Sequence, residues 1–195
     1  MPIFISPQKS GSTSIGKALQ LCGYTSGGWQ PDFFTLEQYS HLILANRLIA
    51  QYQSVAAVPM GIRCHLMRKL DFVHRIAHTK DSWDDWPLAH ECIDPILKKI
   101  VIPEARFIFS LRDPKSWLRS MAAHYESMEF ESYNSFQDYW KHQYALWLQR
   151  IMCVKQEFPK DVLLYNIKEG WKPLSKFLDI KTPRKAFPRE NVRFS

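Results

Sequence analysis

Ile3-Phe4-Ile5-Ser6-Pro7-Gln8-Lys9-Ser10-Gly11-Ser12-Thr13-Ser14-Ile15 is the stretch that decides the fold of this chain. An apolar run breaks into a loop of small and hydroxyl-bearing residues, after which Ile15, Ala18, Leu19 and Cys22 recur at helical spacing until Gly23. The pattern predicts a strand over 3–6, a phosphate-sized loop and a helix over 13–21. Such a junction suits an anion. Small residues let the backbone approach it, successive N–H groups and the helix dipole face it, hydroxyls add donors, and Lys9 brings a mobile positive charge. An ordinary strand-to-helix turn would carry the same residues, so a second site has to separate the two readings.

That second site is Arg106-Phe107-Ile108-Phe109-Ser110-Leu111-Arg112-Asp113-Pro114. An apolar strand ends in Arg112, Asp113-Pro114 makes a sharp exit, and the amphipathic helix that follows, expected to run to about 126, carries Ser120 eight positions after the arginine. Asp113 is expected to shape the turn that holds Arg112, and Trp117 and Met121 to pack the helix. Elsewhere, Thr35-Leu36-Glu37-Gln38 fits a capping box for a helix to about 53, with Leu36, Tyr39, Leu42, Ile43 and Asn46 turned inward. Pro59-Met60-Gly61 reads as a break, 72–78 as a short strand or loop, and 88–99 as a helix. A long helix over 135–158 lines Phe136, Tyr139, Trp140, Tyr144, Trp147, Leu148, Ile151 and Val154 on one face, which reads as core rather than pocket. Strand 162–166, helix 170–178 and a proline-containing tail wrapped on the surface complete the chain. Strands alternating with crossover helices predict an α/β fold: a three-layer, P-loop-like domain over residues 1–195 with a central parallel sheet and ligands at the carboxyl ends of its strands.

The composition fits an anion-binding globular protein. The chain has 195 residues, of which 46% are hydrophobic, and a formal charge of +7 that attracts anions. Lys and Arg are spread along the sequence without a dense run or a zinc-finger, RRM-like or basic-zipper signature, which argues against nucleic acid. Cys22, Cys64, Cys92 and Cys153 lack Cys-x-x-Cys pairing and read as free, mostly buried thiols. His65, His74, His124 and His142 have no carboxylate or cysteine at metal-ligand spacing, so no metal is expected. With no basic n-region and no long apolar stretch, the expectation is a cytoplasmic protein without a membrane partner.

Together the two sites resemble the sulfotransferases that use 3′-phosphoadenosine 5′-phosphosulfate (PAPS). Lys9-Ser10-Gly11-Ser12-Thr13 is similar to that superfamily's Lys-Ser-Gly-Thr-Thr loop, and Arg112 and Ser120 match the Arg and Ser that hold its 3′-phosphate. Asp85-Trp86-Pro87, Val162-Leu163-Leu164-Tyr165, Glu169-Gly170-Trp171-Lys172-Pro173-Leu174 and Phe187-Pro188-Arg189-Glu190-Asn191 resemble elements of a branch of small sulfotransferases. Residues 25–80 are left unmatched. Two departures stand out: Ser14 replaces the aromatic residue that lies against adenine in cytosolic sulfotransferases, and their Gly-rich Arg-Lys-Gly segment does not occur.

The resemblance implies roles. Lys9 would stabilise charge on the bridging oxygen of the leaving phosphate. The amides from Ser10 to Ser14, with the Thr13 hydroxyl, would bind the 5′-phosphate without a metal. Asp85 is the first choice for the base that an acceptor hydroxyl or amine needs, with Asp84 and His78 behind it. A carboxylate before Trp86-Pro87 could instead cap a helix starting there. The acceptor class is a small molecule or carbohydrate. Two rivals remain, the first being a kinase or ATPase, because Gly11 to Lys17 formally satisfies Gly-x-x-x-x-Gly-Lys. Ala18, standing where a magnesium-binding hydroxyl belongs, opposes it. The second is a non-catalytic nucleotide-binding relative, which the retained Lys9 opposes.

Overall fold

The computed structural model describes residues 1–6, 11–28, 34–85, 88, 93–123 and 133–189. Five parallel strands form one sheet in the order β2-β3-β1-β4-β5. They are β1 (Pro2–Phe4), β2 (Ser26–Gly27), β3 (Ser82–Trp83), β4 (Arg106–Ser110) and β5 (Val162–Tyr165). The helices are α1 (Ser12–Leu21), α2 (Leu36–Ile49), α3 (Met60–Lys69), α4 (Asp71–Ala77), α5 (Pro95–Val101), α6 (Pro114–Ala122), α7 (Tyr133–Glu157) and α8 (Trp171–Leu178).

Alternation along the strands builds three layers. Ile3, Ile5, Phe107, Phe109 and Val162 pack with α2, α3, α4, α5 and α7. Phe4, Ile108 and Leu163 point the other way, onto α1 and α8. Chain direction explains which helices lie where. Only the step from β1 to β2 runs toward the β2 edge; the steps from β2 to β3, β3 to β4 and β4 to β5 run away from it. With every crossover right-handed, α1 must lie on the face opposite the other crossover helices. The expected α/β class, with its central parallel sheet between helical layers, is therefore the observed one.

Several local expectations change. Residues 72–78 are not a strand: Asp71–Ala77 is helical, because Phe72, Val73, Ile76 and Ala77 fall at spacings that gather on one helix face. The strand comes later, as the two residues of β3. Pro59 does not end a helix but caps the start of α3, where a missing N–H costs nothing. The helix expected over 88–99 begins at Pro95, because Asp94 accepts the Ile96 N–H at 2.8 Å and proline occupies the first turn. The capping box at Thr35 is present, yet Leu36 is 88% exposed and Ile43 is also exposed; α2 packs through Leu42, Ala45 and Ile49. Tyr139 likewise leaves the inner face of α7, at 49% exposed, whereas Phe136, Trp147, Ile151 and Val154 are buried. The helix expected to reach about 126 ends at Ala122 with Ala123 as its C-cap, and 124–126 lie outside the described residues. Cys22, Cys64 and Cys153 are free thiols, but none of the three is buried: Cys22 and Cys153 are half-buried and Cys64 is exposed; Cys92 lies outside the described residues. The tail docks as expected, with the Trp171 indole donating to the Lys185 carbonyl at 2.7 Å and Phe187 edge-on to Trp171.

Candidate active site

The carboxyl end of β1 is held on three sides. The Ile5 N–H donates to the Ile108 carbonyl at 3.0 Å, and the Ser110 N–H donates to Ser6 Oγ at 2.5 Å, which ties the end of β1 to the end of β4. From the back layer, the Trp147 indole donates to the Ile5 carbonyl at 2.9 Å. Beyond this anchor the chain leaves β1 toward α1 on one face. Its neighbours β3 and β4 send their chains to the other face. Such a divergence opens a crevice at the carboxyl ends of the strands, where open α/β sheets bind ligands. Lys9 and Ser10, the first residues of the expected phosphate loop, lie outside the described residues.

Gly11 resumes the chain and opens α1. Its φ of 101° and ψ of 28° are left-handed, which is what favours glycine here, and the Ile167 side chain lies close over it. No side chain caps α1 and its first turn contains no acid, whereas α2, α5 and α6 begin with the side-chain caps Thr35, Asp94 and Asp113. The first-turn N–H groups and the dipole thus present positive potential at the crevice without an internal carboxylate to offset it. Ser12 is half-buried, Thr13 is exposed at the crevice side and Ser14 is buried against the sheet layer. Lys17 lies within α1, well past its start. The geometry of a Walker lysine, at the end of the loop, belongs to no residue of this helix.

Arg112 follows β4 and is half-buried. Burial pushes its guanidinium down from its ordinary value, with the neighbouring Asp113 carboxylate opposing that shift. The Arg112 backbone also hydrogen-bonds the half-buried Tyr144 of α7, which ties the strand exit to the back layer. Asp113 caps α6: its carboxylate accepts the Ser116 N–H at 2.8 Å, which holds it below the usual carboxylate range. Trp117, Leu118 and Met121 bury one face of α6, and half-buried Ser120 lies between Trp117 and Met121 on the same helix.

On the other side of β1, Asp84 and Asp85 follow β3. Both line an open cleft of about 350 Å³, together with Thr13, Gly16, Lys17 and Gln20 of α1. Asp84 accepts from the Ser26 hydroxyl and packs so tightly over α1 that a Cβ at Gly16 would run into its carboxylate. Asp85 lines the same cleft beside it. Its suggested role as a helix cap finds no helix among the described residues, since α5 takes its cap from Asp94. Trp86 and Pro87 lie outside the described residues. Lys17 and Gln20 were not singled out as cleft residues by the sequence; their one signal is that both are polar on the outer face of an otherwise apolar helix.

His78 does not join this site. It ends α4 at the amino edge of the sheet, where its Nε2 lies 3.0 Å from Glu104 Oε1, across the whole sheet from Arg112 and Asp85. The absence of metal-ligand spacing around His74 also changes in three dimensions, because His74, His78 and Glu104 gather there.

Fold and site together define a parallel α/β protein with an uncapped helix start beside its central strand. A sulfotransferase domain model matches the chain over residues 3–155 and again over 137–194, and the chain belongs to that family of sulfuryl-transferring enzymes. The match includes the segment 25–80 that the motifs leave uncovered. No curated protein matches the chain. Among the described residues, no helix is long and apolar enough to cross a membrane.

Proposed function

We propose that this protein transfers the sulfuryl group of PAPS to a hydroxyl or amine of a small-molecule or carbohydrate acceptor, in the cytoplasm and without a metal. The observation that carries this reading is the start of α1: an uncapped, acid-free helix N-terminus led by a left-handed glycine, one strand away from half-buried Arg112. PAPS would bring an activated sulfuryl group and two separate phosphate positions. The amides from Ser10 to Ser14 and the Thr13 hydroxyl bind the 5′ side, and Arg112 with Ser120 binds the 3′-phosphate. Lys9 neutralises charge that develops on the leaving oxygen. Asp85 accepts the acceptor's proton, while Asp84, held by Ser26, keeps the cleft wall in place.

Adenosine 3′,5′-bisphosphate tests this directly. It should raise the melting temperature of the protein well above any shift from AMP or magnesium-ATP, and Arg112→Ala should weaken its binding by at least about tenfold, the loss of a charge-assisted contact. An equal shift with magnesium-ATP, or unchanged bisphosphate affinity in Arg112→Ala, would overturn the reading.

A further inference from the structure

At the amino edge of the sheet, α4 ends beside the turn that leads from α5 into β4. His74 and His78 are one turn apart in the last turn of α4, their ring centroids 4.3 Å from each other, and Glu104 approaches from the turn. One ligand atom from each of the three lies within 4.8 Å of the other two.

The hydrogen bonds set both rings. His74 Nδ1 lies 3.1 Å from the Val101 carbonyl, and His78 Nδ1 lies 2.8 Å from the His74 carbonyl. A carbonyl oxygen only accepts, so each Nδ1 carries the proton, and in the neutral ring the Nε2 lone pair is left outward. This is the arrangement that orients metal-binding imidazoles elsewhere: the second nitrogen donates to a backbone carbonyl and fixes the tautomer. His78 Nε2 lies 3.0 Å from Glu104 Oε1, so a nitrogen and an oxygen ligand atom already stand side by side at the edge of the cluster.

We propose that His74, His78 and Glu104 form a binding site for a divalent late transition metal, with zinc as the first choice. Two imidazoles and one carboxylate are a known zinc donor set that leaves the fourth position to water. At the usual metal-to-ligand distances, tetrahedral ligand atoms stand about 3.3 Å apart. The His78–Glu104 pair, at 3.0 Å, is already near that separation, and His74 offers a ligand atom within 4.8 Å of both. The negative end of the α4 dipole adds to the attraction. The site has solvent on one side, with both His78 and Glu104 exposed, so the ion enters without opening the fold. Because it bridges α4 to the turn before β4, at the edge opposite Arg112, its effect is to clip the fold together and not to act on sulfuryl transfer.

Calorimetric titration of chelator-stripped full-length protein with zinc chloride at neutral pH tests this. A single micromolar site is expected, weakened at least about tenfold by His78→Ala and by Glu104→Gln, as losing one ligand requires. Both positions are exposed, so neither substitution threatens folding, and the melting temperature without zinc serves as the check. Cobalt(II) bound at the same site should give tetrahedral visible bands without a thiolate charge-transfer band. Absence of uptake at micromolar zinc, affinity unchanged in both variants, or a thiolate band pointing to a cysteine would each overturn the proposal.

Discussion

The two edges of the sheet use positive charge in opposite ways. At the amino edge, cations are consumed by the fold. The Lys99 side chain is only 3% exposed, and its amine donates to Asp161 at 2.7 Å and to the Ala105 carbonyl at 3.0 Å while lying over the Phe158 ring. Arg106 stacks on the Phe177 ring and donates to the Phe177 carbonyl. At the carboxyl edge, α1 opens on a glycine with no acid in its first turn, and the Arg112 guanidinium is buried at a cost to its charge. One edge completes its own ion pairs, while the other leaves an uncapped helix start and a half-buried guanidinium, the groups that the proposed reading gives to an anion. The contrast separates what holds the fold from what the proposal assigns to binding.

Four substitutions break or sharpen that contrast. Asp85→Asn keeps the side-chain shape but cannot accept a proton, so turnover with a working acceptor should fall by about 10²-fold or more while bisphosphate binding persists. Steady-state kinetics beside a binding titration checks this, and full turnover would move the base elsewhere in the cleft. Gly11→Ala forces a side chain into a left-handed φ and against Ile167, so it should cost about 2–3 kcal/mol in urea unfolding and remove bisphosphate binding. At the amino edge, Asp161→Ala strips Lys99 of its carboxylate. Allowing for the partial exposure of Asp161, a loss of about 1–2 kcal/mol is expected, with bisphosphate affinity untouched.

The smallest effect is a matter of pH. The Asp113 carboxyl is held below its ordinary value by the Ser116 N–H. Its contribution to α6 is therefore complete above the ordinary carboxylate pKa and disappears as pH falls through the lower folded value. Asp113→Asn still caps the helix, so it should match the parent near neutrality and show a shallower loss of thermal stability in acid. Melting curves across the acidic range read this out.

Legibility in the sequence followed signal strength. β1, α1, β4, α6, α7, β5 and α8 announce themselves through apolar runs, helical periodicity or a cap at Asp113-Pro114. β2 and β3 do not, being two residues each and recognisable as strands only by pairing with each other and with β1. The same Asp-Pro signal that marks α6 also starts α5 at Asp94-Pro95, where the apolar pattern suggested an earlier beginning. For the site, Gly11 and Arg112 could be singled out because each belongs to a local pattern. The clamp on Asp84 could not, since Ser26 and Gly16 reach it from far along the chain. His74, His78 and Glu104 were missed for a similar reason: the glutamate arrives through the turn after α5.

The approach of Ile167 to Gly11 joins the two ends of the chain. β1 is the first strand made and sits at the centre of the sheet, yet its earliest pairing partner is Trp83 and the residue lying over Gly11 comes from the turn after β5. Local pairing cannot hold β1, and closure of such long loops is slow. The segment that leaves the ribosome first therefore waits for β3, β4 and the turn after β5 before its pairing and packing are complete.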